Sequence, residues 1–141
     1  MINYIHEPTP LQCGQAVLAM LTGKSVNEVV KTLNNEKETT LKEMLLFLNQ
    51  NGFKVENKRL QAQNKADLPE IALLSLETPR CWHWSLYYKG TFYDPEHNIL
   101  SDFPKAARKY YWKIEKISED ICYNLKTYLF QPKVKTAKSK F

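Results

Sequence analysis

The sequence predicts an α+β fold, with helices in the amino-terminal half and an antiparallel sheet after them. Two observations carry that expectation. As far as Asn51-Gly52 the apolar residues recur at helical spacing, and two serine or threonine capping boxes introduce them. Beyond Gly52 the pattern turns to alternating or continuous apolar runs, rich in aromatic and β-branched residues.

The first ten residues carry Pro8 and Pro10 and little periodicity, so they read as an extended arm. From Ala16 to Leu21 the chain is apolar on nearly every side, which marks a buried helix that starts near Cys13 and leaves at Gly23. Ser25-Val26-Asn27-Glu28 is a capping box ahead of Val26, Val29, Val30 and Leu33. Thr40-Leu41-Lys42-Glu43 repeats the device ahead of Met44, Leu45, Phe47 and Leu48. Phe53 and Val55 suggest a short strand, and the compact apolar run from Ile71 to Leu76 reads as a buried one. Trp82 to Tyr88 and Thr91 to Asp94 form a hairpin about the two-residue turn Lys89-Gly90. Ser101 to Arg108 is expected to hold one or two helical turns, and Tyr110 to Ile117 alternates as a further strand. A weak helix is expected from Ile121 to Tyr128. Residues 1–130 then make a single domain, and 131–141 a basic, flexible tail.

A chain of 141 residues is sized for one domain with one core. Its 43% apolar and 25% charged content argues against wholesale disorder. Much of the net charge of +5 sits in Lys133, Lys135, Lys138 and Lys140, as in a solvated tail. There is no RNA-binding aromatic signature and no arginine-rich helix, so a nucleic-acid partner is not expected. Three cysteines, Cys13, Cys81 and Cys122, cannot close a disulfide framework; they suggest reducing surroundings or a thiol kept for its reactivity. The start lacks a signal-peptide layout, and no apolar run approaches the roughly 20 residues of a membrane helix. A cytoplasmic protein without a membrane span is expected, with delivery as an effector and the oligomeric state left open.

Cys13 stands at the start of the buried helix, where unpaired amides and the positive end of the dipole favour a thiolate. Gly14 directly after it leaves room for a substrate. Alone, such a cysteine is more often core packing. His83 changes the balance, because a strand position between Trp82 and Trp84 is a costly place for an imidazole without a purpose. Pairing across the turn sets Tyr88 opposite Thr91, Leu86 opposite Tyr93 and Ser85 opposite Asp94. His83, Ser85 and Asp94 then share one face, with His83 and Asp94 diagonal neighbours about 7 to 8 Å apart at the backbone. A carboxylate there can orient the imidazole, as the third member of a nucleophile–base–orienter set. The plainer alternative is a structural histidine beside a turn aspartate. Cys81 and His83 alternate onto one face, but two ligands make a poor zinc site, and no metal or cofactor is expected. His97 reads as an exposed loop residue and Cys122 as packing.

Leu11-Gln12-Cys13-Gly14-Gln15-Ala16-Val17-Leu18-Ala19-Met20-Leu21 resembles the cysteine box of the peptidase C39-like family, a branch of the papain-like cysteine peptidases. His83-Trp84-Ser85-Leu86-Tyr87-Tyr88-Lys89-Gly90-Thr91-Phe92-Tyr93-Asp94-Pro95 resembles its second box, a histidine strand, a turn and Asp-Pro. The resemblance covers roughly residues 4–117 and implies a helical half packed on a small sheet, with the active site between them. It implies a thiol hydrolase of peptide or isopeptide bonds, with Cys13 attacking a carbonyl, His83 moving the proton and Asp94 orienting His83. The substrate would be a polypeptide. The family usually has an oxyanion-stabilising glutamine six residues before the cysteine; here that position is Glu7. An ionised carboxylate cannot donate to an oxyanion, so Gln12, the amide of Cys13 or His6 is expected to compensate, Gln12 being preferred. Trp84 would flank the cleft. Glutamine deamidation or acyl transfer on the same scaffold, and a non-catalytic peptide-binding module, are the alternatives.

Overall fold

The computed structural model describes residues 1–117; the expected helix over 121–128, Cys122, the domain boundary at 130 and the basic tail lie outside the described residues. Three helices come first: α1 (Cys13–Thr22), α2 (Val26–Leu33) and α3 (Leu41–Gln50). Seven strands follow: β1 (Phe53–Val55), β2 (Leu60–Gln61), β3 (Ile71–Glu77), β4 (Trp82–Tyr88), β5 (Thr91–Asp94), β6 (Asn98–Leu100) and β7 (Lys109–Lys116). They form one antiparallel sheet in the order β1-β7-β3-β4-β5-β6, with β2 also paired to β7. The chain is thus α+β, helices first.

Local chemistry accounts for the helix ends. Both expected capping boxes close. Ser25 Oγ accepts from the Glu28 amide at 3.1 Å while Glu28 accepts from the Ser25 amide at 2.9 Å. Thr40 and Glu43 reproduce the exchange at 3.2 and 2.9 Å. Gly23 ends α1 in the left-handed region at φ 77°, where a side chain would be strained. The β4–β5 turn places both Lys89 (φ 47°) and Gly90 (φ 91°) in positive φ, the two-residue geometry that matches strand twist. The register is the one expected, with Tyr88 opposite Thr91 and Leu86 opposite Tyr93.

The sheet is buried on both faces. One packs Leu73, Leu86, Trp112 and Ile114 against Leu18, Met44 and Phe47 of the helices. The other carries Leu74, Leu76, Tyr87 and Phe92, covered by Ala62 and Leu68 on one side and Leu100 and Phe103 on the other. That cover corrects one expectation: 101–108 is not helical but a run of bends. Pro104 brings no amide donor, Phe103 and Ala106 turn onto the sheet, and the Ala107 amide bonds Glu77 O at 2.8 Å rather than a helical partner. Among the described residues no helix is long and apolar enough to cross a membrane.

Candidate active site

Strand pairing and helix placement bring Cys13 to β4. Strand β5 pairs with β4 only from Leu86 to Tyr88, which leaves the Trp84 amide free of a strand partner. The tip of α1 fills that place, and the Trp84 amide donates to Cys13 Sγ at 3.4 Å. Gln12 precedes the helix without capping it, and no acid lies in its first turn, so its leading amides keep their partial positive charge beside the sulfur. Buried Gln15 ties the 35–39 loop over this tip, donating to the Asn35 and Lys37 carbonyls at 3.0 and 2.7 Å. The loop sets Thr39 hard against Gly14. A Cβ at residue 14 would overlap Thr39 Oγ1 and press on Trp84 Cδ1 at 3.1 Å. Gly14→Ala is therefore expected to cost about 1–3 kcal/mol, read as a lowered urea midpoint, with an unchanged midpoint contradicting this packing.

His83 and Asp94 meet as the hairpin register requires. His83 Nε2 lies 2.8 Å from Asp94 Oδ1, and Ser85 Oγ donates to Oδ2 at 2.7 Å. All three side chains are buried. The Glu96 and His97 amides donate to Oδ1 at 3.0 and 2.9 Å, and His97 Nδ1 lies 2.9 Å away. Burial works against the charge on each partner, and in each case contact wins. For His83 the hydrogen bonds to Asp94 and Cys13, with their charges, lift the imidazole to about 10. For Asp94 the hydrogen bond and charge of His83, then Ser85 and His97, hold the carboxyl at about 2. A charged imidazolium–carboxylate pair at neutral pH follows.

The other ring nitrogen, Nδ1, faces Glu7 Oε1 at 3.9 Å. Glu7, Cys13 and His83 each present a donor atom, all within 4.8 Å of one another and all buried. The amino-terminal arm holds Glu7 in place: the Glu7 amide donates to Pro95 O at 2.9 Å, and Tyr4 Oη to Asp94 O at 2.5 Å. Burial first, with the charges of Glu96 and Asp94, pushes the Glu7 carboxyl up, against the lowering effect of His83. Its Oε1 has no hydrogen-bond partner among the described residues.

The structure thus brings Cys13, His83, Asp94 and Glu7 together. Trp84 stands beside them, its Nε1 donating to Thr39 O at 3.2 Å and its ring tilted against Trp112. With Thr39, Ser75 and Trp82 it walls a cavity of about 250 Å³ that opens on Cys13 and His83. Gln12 is half-buried at the edge, and its amide nitrogen donates to Glu36 O at 3.1 Å. His6 is exposed. Cys81 is exposed in a turn closed by Thr78, and forms no donor cluster with buried His83 among the described residues. A larger depression of about 620 Å³, walled by Arg80, His97, Ser101 and Phe103, has no cysteine in its lining; of the two, the cavity at Cys13 is the one that sets a thiol beside an imidazole.

Sequence reasoning missed two residues. His97 was expected to be a solvated loop residue; its side chain is 39% exposed, yet one nitrogen rests on Asp94. The signal was available in Asp94-Pro95-Glu96-His97, where an aspartate opening a turn accepts from amides two and three residues on. Tyr4 had no signal, because its bond spans 90 positions. No family model matches the chain, and no curated protein matches its sequence.

Proposed function

We propose that the chain is a thiol-dependent hydrolase of peptide or isopeptide bonds, of the papain-like C39 type. The observation that carries the reading is one imidazole flanked on both sides, with a buried carboxylate 2.8 Å from Nε2 and a helix-tip thiol within 4.8 Å of the ring's other nitrogen. That is the nucleophile–base–orienter arrangement. Cys13 Sγ attacks the carbonyl carbon, and the amine leaves with the proton that His83 carries, giving a thioester. His83 then takes a proton from water, whose oxygen attacks the thioester; the acid leaves and Sγ regains its proton partner. Asp94 keeps the ring in one orientation and stabilises its charged form through both halves.

The tetrahedral oxyanion needs donors. The Cys13 amide, at an uncapped helix tip, is one. Glu7 is the second: its raised carboxyl keeps a proton more readily than an exposed acid, and a carboxylic acid donates where a carboxylate cannot. The half-exposed Gln12, its amide turned to Glu36 O, is the weaker candidate.

A peptidyl ketone probe bearing a leaving group tests the reading, since it alkylates a thiol only after docking beside it. Label is expected on Cys13 in the wild type and absent in Cys13→Ala. Label confined to Cys81 contradicts it. Mass spectrometry of a labelled or trapped polypeptide target then separates chain cleavage from side-chain deamidation or amine transfer, which share the thioester.

A further inference from the structure

We propose that Glu7, Cys13 and His83 form a binding site for a divalent transition metal, zinc fitting best, and that the bound ion holds the thiol in check. Three donors of different type, a thiol sulfur, an imidazole nitrogen and a carboxyl oxygen, lie within 4.8 Å of one another. They come from three separate pieces of the fold: the pinned arm, the tip of α1 and the start of β4.

An independent observation points to a cation. Glu7 is 7% exposed, its Oε1 has no partner among the described residues, and the groups around it include two more carboxyls, Asp94 and Glu96. A buried carboxyl oxygen without a partner is costly, and either a proton or a metal relieves it. A thiolate, a carboxylate and a neutral imidazole together neutralise a divalent charge. Their mixture of sulfur, nitrogen and oxygen suits zinc or cobalt and disfavours calcium and magnesium, which take oxygen.

One edge of the set lies near the spacing a bound ion needs. Tetrahedral zinc with bonds of about 2.0–2.3 Å spaces its ligand atoms about 3.3 to 3.6 Å apart. Glu7 Oε1 and His83 Nδ1 stand at 3.9 Å, so a closure of about half an ångström completes that edge. Asp94 on the opposite ring nitrogen is the carboxylate partner that metal-bound histidines usually have; it directs Nδ1 at the site. The cavity beside Cys13 and His83 leaves the fourth position to water. Binding displaces the proton carried between Cys13 and His83, together with any on Glu7, so metal and substrate compete for one sulfur.

The metal site stands on ligand geometry; only its restraint of the thiol rests on the hydrolase reading. The test is titration of the chelator-treated full chain with cobalt(II). One equivalent is expected to bind, with a thiolate-to-cobalt charge-transfer band and the strong visible bands of tetrahedral cobalt. Cys13→Ser removes the charge-transfer band, Glu7→Gln weakens binding at least about tenfold, and Cys81→Ala changes neither. Zinc displaces the cobalt and slows alkylation of Cys13. No charge-transfer band, a band that survives Cys13→Ser, or unweakened binding by a folded Glu7→Gln overturns the site. If cobalt fails to bind while the peptidyl probe still labels Cys13, the metal site alone falls. If cobalt binds as described but metal-free Cys13 is inert to the probe, the metal site stands and the hydrolase reading falls.

Discussion

His83→Ala is expected to slow labelling of Cys13 by the peptidyl probe at neutral pH by about 10²–10⁴-fold, the usual contribution of a positioned acid–base. The imidazole stands near Cys13 Sγ, where it can hold a proton and return it, with its far nitrogen fixed 2.8 Å from Asp94. Burial of His83 means that alanine leaves a polar void rather than a path for bulk buffer. Added imidazole small enough to enter the cavity of about 250 Å³ is expected to restore part of the rate. A variant that folds and labels as fast as the wild type contradicts the role given to His83.

Asp94→Ala is expected to be the most destabilising single change at the site. It strips Nε2 of buried His83, Oγ of Ser85 and the Glu96 and His97 amides of their shared acceptor. Breaking a buried pair from one side costs about 3–5 kcal/mol, roughly a 10 °C or greater fall in Tm for a chain this size. The pH dependence follows from the same contacts. The His83 imidazole is raised from 6.5 to about 10, so its contribution is full below pH 6.5 and is lost as pH rises towards about 10. The Asp94 carboxyl is lowered from 3.8 to about 2, so its contribution is full above pH 3.8 and is lost as pH falls towards about 2. The pair therefore stabilises most between about pH 4 and 6.5. Urea midpoints across that range are expected to show a wild-type advantage over Asp94→Ala that shrinks on both sides of it. A constant difference between the two contradicts a charged pair.

What was legible in the sequence was local. Capping boxes act over three residues, and a two-residue turn propagates its register along both strands, so α2, α3 and the β4–β5 hairpin followed from Ser25, Thr40 and Lys89-Gly90. The same register placed His83 and Asp94 on one face, and the contact at 2.8 Å bears it out. What was not legible depends on distant chain. Strand β6 exists because Asn98–Leu100 folds back on β5, and 101–107 lies as bends because it covers the sheet's far face. Glu7 stood out in the sequence as a departure from the family pattern. Its part in the donor set came only with the arm pinned across Pro95 and Asp94.

Competitive alkylation of the wild-type protein with a limiting amount of iodoacetamide, read thiol by thiol by mass spectrometry, puts the proposal to its simplest trial. Cys13 is buried and Cys81 is exposed, so accessibility alone favours Cys81. If Cys13 is the imidazole-paired nucleophile, it reacts first in spite of its burial, and loses that lead in His83→Ala. A Cys13 that reacts more slowly than Cys81, in proportion to its exposure, would leave it a packing residue and the site without a nucleophile.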